Sequence, residues 1–392
     1  MKRAEKQEYL AAVRSLQDIY MGNFENEAVP RNAHNDASRL HLVAGLYVYN
    51  PVTRKFLVQQ RSTTKKTFPG QFTDSASGHI MARAGMTLDT IKQEMCRELA
   101  EEVGIEADPG ALFLWTFFQD PSESEIKFIF VATSDATRVT PDLAEVTDRT
   151  GWYEAAELRS MLGSERFVKQ VVGLWDVLLQ NEAQFSVFMN SLVPWQNYWN
   201  WSGGLRDYLV WRAAVDANVE DAHRARRIPL FLGRFQPFHR GHLRCLEAIR
   251  QRSGDVIAGI GSAQYSRDAR NPLTYDERRD LMQHCIDRAG LDFEHVFFVP
   301  IPDVHQEHVW MQNIKLLLGD NVYIHSNNDW VRGLGIAAGI HVADKVSFEM
   351  ATYNGSRVRD LVRGGGNWQA LVPDASYMSR RGLVTIIQQS MK

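Results

Sequence analysis

His239 and His242 are the side chains in this sequence best placed to handle a phosphoryl group. They belong to Gly233-Arg-Phe-Gln-Pro-Phe-His-Arg-Gly-His242, which follows an apolar run at 228–232 and precedes the helical spacing Leu246, Ile249, Arg250. The order is strand, tight loop, helix start. Such a junction aims backbone N–H groups and the positive end of a helix dipole at one place, so it attracts an anion. Three residues apart, both imidazoles fall on one side of the helix start, and Gly241 lets a ligand approach the backbone. Together they supply hydrogen-bond donors where charge grows during phosphoryl transfer. A plain strand-to-helix turn with two surface histidines fits the same residues.

A second group is Glu98, Glu101 and Glu102, at i, i+3 and i+4 of a helix whose apolar positions Ile91, Met95, Leu99 and Val103 recur every four residues and whose end is marked by Gly104. Three carboxylates on one face repel unless a cation joins them, and hard oxygen ligands suit Mg²⁺ or Mn²⁺ bridging to a diphosphate. A solvated acidic helix face is the plain alternative. A third group is Tyr353-Asn-Gly-Ser-Arg-Val-Arg359. Gly355 permits close approach, Ser356 is a natural N-cap for a helix carrying Val358, Leu361 and Val362, and Arg359 projects from the first turn. This is a second phosphate-binding helix start, or else a capped surface helix. Gly364-Gly365-Gly366 follows that helix and reads as its stop.

The elements that must position these groups need two domains. The chain has 392 residues, 44% of them hydrophobic, enough for two ordinary cores. Net charge is −3 with no lysine-arginine block, which argues against nucleic acid as a partner. No apolar run suits a secretory signal or a bilayer span, so the expected location is cytoplasmic, with no membrane partner. Cys96, Cys245 and Cys285 are far apart and predict neither disulfide nor zinc site.

Along the chain, Leu10, Val13, Leu16 and Ile19 predict one helix over 5–20, and 23–38 is polar and loop-like. Strands are expected at 40–49, 55–60, 115–118 and 127–133, and Phe167, Val171, Leu174, Val177 and Leu178 give a further helix. The aromatic stretch Trp195-Gln-Asn-Tyr-Trp-Asn-Trp201 implies burial, as a connector between domains or an oligomer contact. The expected domains are 1–164 with an N-terminal helical extension, a helical connector 165–226, and 227–392.

The first motif, with residues 259–264, 270–274, 301–303 and Trp310, resembles the archaeal-type nicotinamide mononucleotide (NMN) adenylyltransferases over most of 228–373. The resemblance implies a Rossmann-like fold with a parallel sheet, and ATP, NMN and NAD as ligands. It implies that His239, His242 and Arg359 act on the ATP phosphates, with Arg234 and Arg270 near phosphate groups. Gly233, Phe235, Gln236, Gly241, Gly355 and Ser356 are its binding positions, and Asn354 and Ser356 replace the Ser and Thr of the family's second motif. Trp310 is implied to stack on the pyridine ring, with Asp303 in that pocket and Asn328 nearby; a core tryptophan beside Ile314 and Leu317 is the plain reading.

Residues 97–105, Arg-Glu-Leu-Ala-Glu-Glu-Val-Gly-Ile, resemble the second half of the Nudix box. The first half departs: Arg83 stands at the usual glycine and Asp89 at the usual glutamate, or Gly78 is the glycine and residues are inserted. The resemblance implies an α/β/α domain with a mixed sheet, metal on Glu98, Glu101 and Glu102, Glu102 in catalysis, and Glu145 as a further ligand or base. Residues 40–79 look most like the isopentenyl-diphosphate-isomerase-like branch, but Asp74-Ser-Ala-Ser77 stands where isomerases use a cysteine, which disfavours isomerisation. The expected activities are NAD formation and hydrolysis of a nucleoside diphosphate derivative such as ADP-ribose. Two alternatives stay open: a non-catalytic Nudix sensor of ADP-ribose or NAD, and a transferase for another acceptor such as nicotinate mononucleotide. A homo-oligomer is compatible with either.

Overall fold

The computed structural model describes residues 8–24, 27–31, 39–120, 122–194, 201–217, 227–347, 349 and 351–390. The chain divides into two compact units, Met1–Met189 with Val304–Val309, and Asn190–Asp303 with Trp310–Lys392. Among the described residues no helix is long and apolar enough to cross a membrane.

In the first unit the strands are β1 (Tyr9–Val13), β2 (Glu27–Pro30), β3 (Leu40–Asn50), β4 (Lys55–Val58), β5 (Ala76–His79), β6 (Phe113–Asp120), β7 (Glu125–Thr133) and β8 (Gly151–Glu154). The helices are α1 (Leu16–Tyr20), α2 (Leu88–Val103), α3 (Ala155–Ser164), α4 (Lys169–Asn181) and α5 (Phe185–Ser191). β3 organises the sheet: it pairs antiparallel with β1, β4 and β5 and parallel with β7, so the sheet is mixed. α2 buries Ile91, Met95, Leu99 and Val103, the stripe its spacing demands. Burying each such side chain stabilises by about 1.5–3 kcal/mol, which fixes the face that α2 turns outward.

The single helix expected over 5–20 is instead a strand and a short helix. Leu10, Ala11, Ala12 and Val13 are buried in succession, which a strand paired on both edges satisfies and an amphipathic helix does not. Ser15 then opens α1 in a reciprocal cap with Asp18. The expected loop at 23–38 also contains a strand, β2, which pairs with β1.

In the second unit the sheet is parallel, in the order β11 (His295–Ile301), β10 (Asp255–Gly261), β9 (Ile228–Gly233), β12 (Val322–His325). The helices are α6 (Gly203–Ala217), α7 (Arg240–Arg250), α8 (Tyr275–Arg288), α9 (Glu307–Leu318), α10 (Asp329–Ala337), α11 (Gly355–Arg363), α12 (Ala375–Arg380) and α13 (Leu383–Gln389). β10 is buried throughout, as expected for a parallel strand covered on both faces. The chain proceeds from β9 to β10 and β11 on one side, then places β12 on the other. That reversal opens a crevice at the carboxyl ends of β9 and β12, where ligands bind in sheets of this kind. Residues 195–200 of the aromatic stretch lie outside the described residues. Trp201 is buried, its Nε1 donating to Asp276 Oδ2 at 2.6 Å.

Candidate active sites

In the second unit His239 is the N-cap residue of α7, and His242 lies in the helix's first turn. The two rings stack with centroids 3.5 Å apart. His242 Nδ1 accepts from the His239 backbone N–H at 3.2 Å, which leaves its proton on Nε2 in the neutral ring. His242 is half-buried, and the rings of Phe235 and Phe238 pack against it with centroids 4.9 and 5.4 Å away. Burial pushes the His239 imidazole down to about 3, and burial together with His239 pushes His242 down as well. Both rings are therefore uncharged donors at neutral pH. His239 Nδ1 is buried with no hydrogen-bond partner among the described residues.

The second helix start meets the first through a backbone oxygen. Arg359 Nη1 donates to Gln236 O at 2.7 Å, and Nη2 to Ser356 Oγ at 3.1 Å. Its Nε is buried, with no hydrogen-bond partner among the described residues. Gly355 is required here, since a Cβ on it would stand 3.0 Å from Gln236 O. Burial lowers the Arg359 guanidinium to about 10, with Arg234 and Arg363 pressing the same way, so it stays charged among other cations. The α11 cap is Asn354, not Ser356: Asn354 Oδ1 accepts from Arg357 N–H at 2.8 Å, while Ser356 serves Arg359. Gln236 locks the loop to the one before α8, donating to Leu273 O at 2.9 Å and accepting from Leu273 N–H at 3.0 Å.

The remaining residues expected in this site take up diverse roles. Arg234 is exposed beside the motif, Gly233 ends β9, and Gly241 is buried in α7. Arg270 is exposed, its backbone N–H held by Asp268 Oδ1 at 2.7 Å. Asp303 accepts from Ser262 Oγ at 2.8 Å, and its backbone is gripped by Gln264. Trp310 is 7% exposed, donates to Pro302 O at 2.9 Å and stacks on Trp330 with centroids 5.4 Å apart. Asn328 caps α10, accepting from Trp330 N–H at 2.9 Å. Trp330 was legible only as an aromatic residue near Asn328.

In the first unit α2 carries the carboxylates of the second group and packs against β5. Glu98 lies over Gly78, where a Cβ would stand 2.9 Å from the Glu98 carboxyl carbon. Glu102 is 8% exposed and accepts from Gln59 Nε2 at 2.8 Å. Burial raises its carboxyl to about 7, with Glu98 and Asp74 adding repulsion. Asp74, missed in the sequence, is likewise buried and raised to about 7 by desolvation. Arg97 bonds to Glu94 at 3.0 Å and also pairs with Glu98 and Glu101, and Glu145 pairs with Lys65. The ligand atoms of Glu98, Glu101 and Glu102 do not converge; among the described residues only Asp255, Glu294 and His295 form a trio within 4.8 Å. The hard oxygen donors nevertheless suit a divalent cation, provided Arg97 releases its partners.

Comparison with known proteins agrees with both halves. Residues 230–354 match the cytidylyltransferase-like family model and 39–171 the NUDIX domain model. The nicotinamide-nucleotide adenylyltransferase of Methanothrix thermoacetophila is 34% identical over 145 residues, covering 37% of this chain and 84% of the relative. That of Methanolobus tindarius is 34% identical over 149 residues, covering 38% of this chain and 84% of the relative. A bifunctional NMN adenylyltransferase/ADP ribose pyrophosphatase structure from Francisella tularensis is 22% identical with TM-score 0.36, covering 41% of this chain and 51% of that one, a likeness too slight to bear on function. On the identity and coverage of the archaeal relatives, the chain belongs to the nicotinamide-nucleotide adenylyltransferase family.

Proposed function

We propose that the second unit transfers the adenylyl group of ATP to NMN, giving NAD and pyrophosphate. The carrying observation is the pair of helix starts joined by Arg359 and Gln236, with His239 Nδ1 and Arg359 Nε buried without partners among the described residues, beside neutral imidazoles. Buried polar atoms without partners are costly, and phosphate oxygens would satisfy them. The NMN phosphate is already an anion, so its oxygen attacks the α-phosphorus directly: a new P–O bond forms, the bond to the β-phosphate bridge breaks, and pyrophosphate leaves with its electron pair. The protein supplies position and charge rather than a nucleophile. His239 and His242 donate to phosphoryl oxygens without carrying charge, and Arg359 and Arg234 hold the charge that develops. Asp303, Trp310 and Asn328 line the acceptor side. A divalent cation, Mg²⁺ or Mn²⁺, would supply further positive charge on the phosphate side if bound.

The first unit is proposed to hydrolyse a nucleoside diphosphate derivative such as ADP-ribose, with Glu98, Glu101 and Glu102 as cation ligands and Glu102 or Glu145 as base. The Arg97 pairs favour a second reading, in which this site binds such a ligand without turning it over. Purified protein given NMN, ATP and Mg²⁺ should form NAD and pyrophosphate; absence of NAD would sink the transferase. ADP-ribose with Mg²⁺ should yield AMP, whereas saturable binding without AMP selects the sensor.

A further inference from the structure

The geometry points to Arg278 as a positioning residue of the transferase site, a single buried guanidinium that clamps the two left-handed turns on which both halves of the site depend. This rests on the adenylyl-transfer reading above. Arg278 lies in the first turn of α8 and is fully buried. Its Nη1 donates to Arg234 O at 2.9 Å and to Gly261 O at 2.7 Å, its Nε to Thr274 O at 3.1 Å, and its Nη2 to Ser262 O at 3.4 Å. Among the described residues no carboxylate is hydrogen-bonded to it.

What those carbonyls precede gives the contacts their meaning. The residue after Arg234 is Phe235, with φ +52°, and the residue after Gly261 is Ser262, with φ +50°. Neither is a glycine, and a non-glycine residue in the left-handed region is strained unless its surroundings hold it there. One nitrogen of Arg278 holds the peptide unit that leads into each. The first turn carries Phe235, whose ring packs on His242, and Gln236, whose carbonyl holds Arg359. The second turn presents the Ser262 hydroxyl to Asp303. The triphosphate side and the acceptor side thus share one fixed point. A planar fork that reaches Thr274 from one nitrogen and two strand ends from another cannot be reproduced by a lysine ammonium. Burial lowers this guanidinium to about 9, so it remains charged at neutral pH.

The test uses the full chain and compares Arg278→Lys in two backgrounds, Ser262→Ala and Ser262→Gly. Both backgrounds lack the hydroxyl, but only glycine adopts φ +50° without being held. Steady-state NAD formation should show kcat/KM for NMN falling about tenfold on Arg278→Lys in the alanine background and distinctly less in the glycine background, through KM rather than kcat. Loss of folded enzyme would lower kcat alone and equally in both. Equal losses, or no loss, overturn the clamp. Arg278→Gln is read in the same pair should the lysine variant be insoluble, and failure of both to fold in both backgrounds also overturns it, by making Arg278 a stability element. If the unaltered protein forms no NAD, the transferase reading fails. Calorimetric ATP titration then judges the clamp separately at the first turn, in Phe235→Ala and Phe235→Gly backgrounds: a Kd raised by Arg278→Lys more in the alanine than the glycine background supports it, and an equal or absent shift overturns it.

Discussion

The two regions proposed to handle phosphates stand in opposite states of readiness. In the second unit the proposed groups are arrayed in advance: two uncharged imidazoles stacked at 3.5 Å, and a guanidinium fixed to the opposing loop with one nitrogen lacking a partner among the described residues. In the first unit the groups that would bind a cation are occupied, Glu98 and Glu101 by Arg97, and Glu102 by a raised affinity for a proton. The difference follows from the ligand's sign. Neutral donors for an anion cost less to bury than charges do, whereas acids gathered for a cation repel until it arrives and borrow arginines and protons meanwhile.

The comparison breaks most visibly at His242. His242→Ala should lower kcat for NAD formation by roughly 10²–10³, the usual effect of removing one preorganised donor. AMP release from ADP-ribose by the same variant should be unchanged, and a matching fall in both assays would show that the two regions are not independent. Next in size, Glu102→Gln should lower ADP-ribose hydrolysis by about 10². It should also weaken Mn²⁺ binding, read by electron paramagnetic resonance, while NAD formation continues. Unchanged Mn²⁺ affinity would remove Glu102 from the ligand set.

A pH measurement separates the regions by the opposite effects of their buried groups. His239 falls from its ordinary value of 6.5 to about 3 on folding. Between those values the unfolded chain binds a proton that the folded chain refuses, so stability rises with pH and is progressively lost below about 6.5. His239→Asn should therefore gain about 2 kcal/mol at pH 5 relative to pH 8, measured by urea denaturation at both values. No differential gain would mean that His239 is not held neutral by burial.

The sequence carried the second unit further than the first because its motifs are local. Residues 233–242 and 353–359 each lie on one strand-to-helix or loop-to-helix turn, so neighbours in sequence remain neighbours at the site. Even there the cap was misassigned: Asn354 and Ser356 both suit an N-cap, and only the fold shows that Arg359 claims the serine. Arg278 was invisible because its role lies in carbonyls from three separate segments, and a backbone acceptor leaves no mark on residue type. In the first unit the α2 stripe and its Gly104 stop were plain, whereas β1 was hidden because Leu10, Val13, Leu16 and Ile19 fit a helical spacing across Ser15. Asp74 went unread for a related reason, since only the pairing of β3 with β5 fixes its depth.

The smallest effect tests whether the first region is restrained by its own arginine. Arg97 touches Glu94, Glu98 and Glu101 while itself partly exposed, and such pairs are worth about 0.2–1 kcal/mol each. A cation drawing on Glu98 and Glu101 must break two of them and sit near a guanidinium. Arg97→Gln removes both penalties and keeps a donor for Glu94. Mn²⁺ affinity should tighten by up to about fivefold, with the gain shrinking as salt screens the pairs. Should affinity weaken instead, Arg97 is arranging the carboxylates for the cation rather than competing with it, and the first region is as prepared for its ligand as the second.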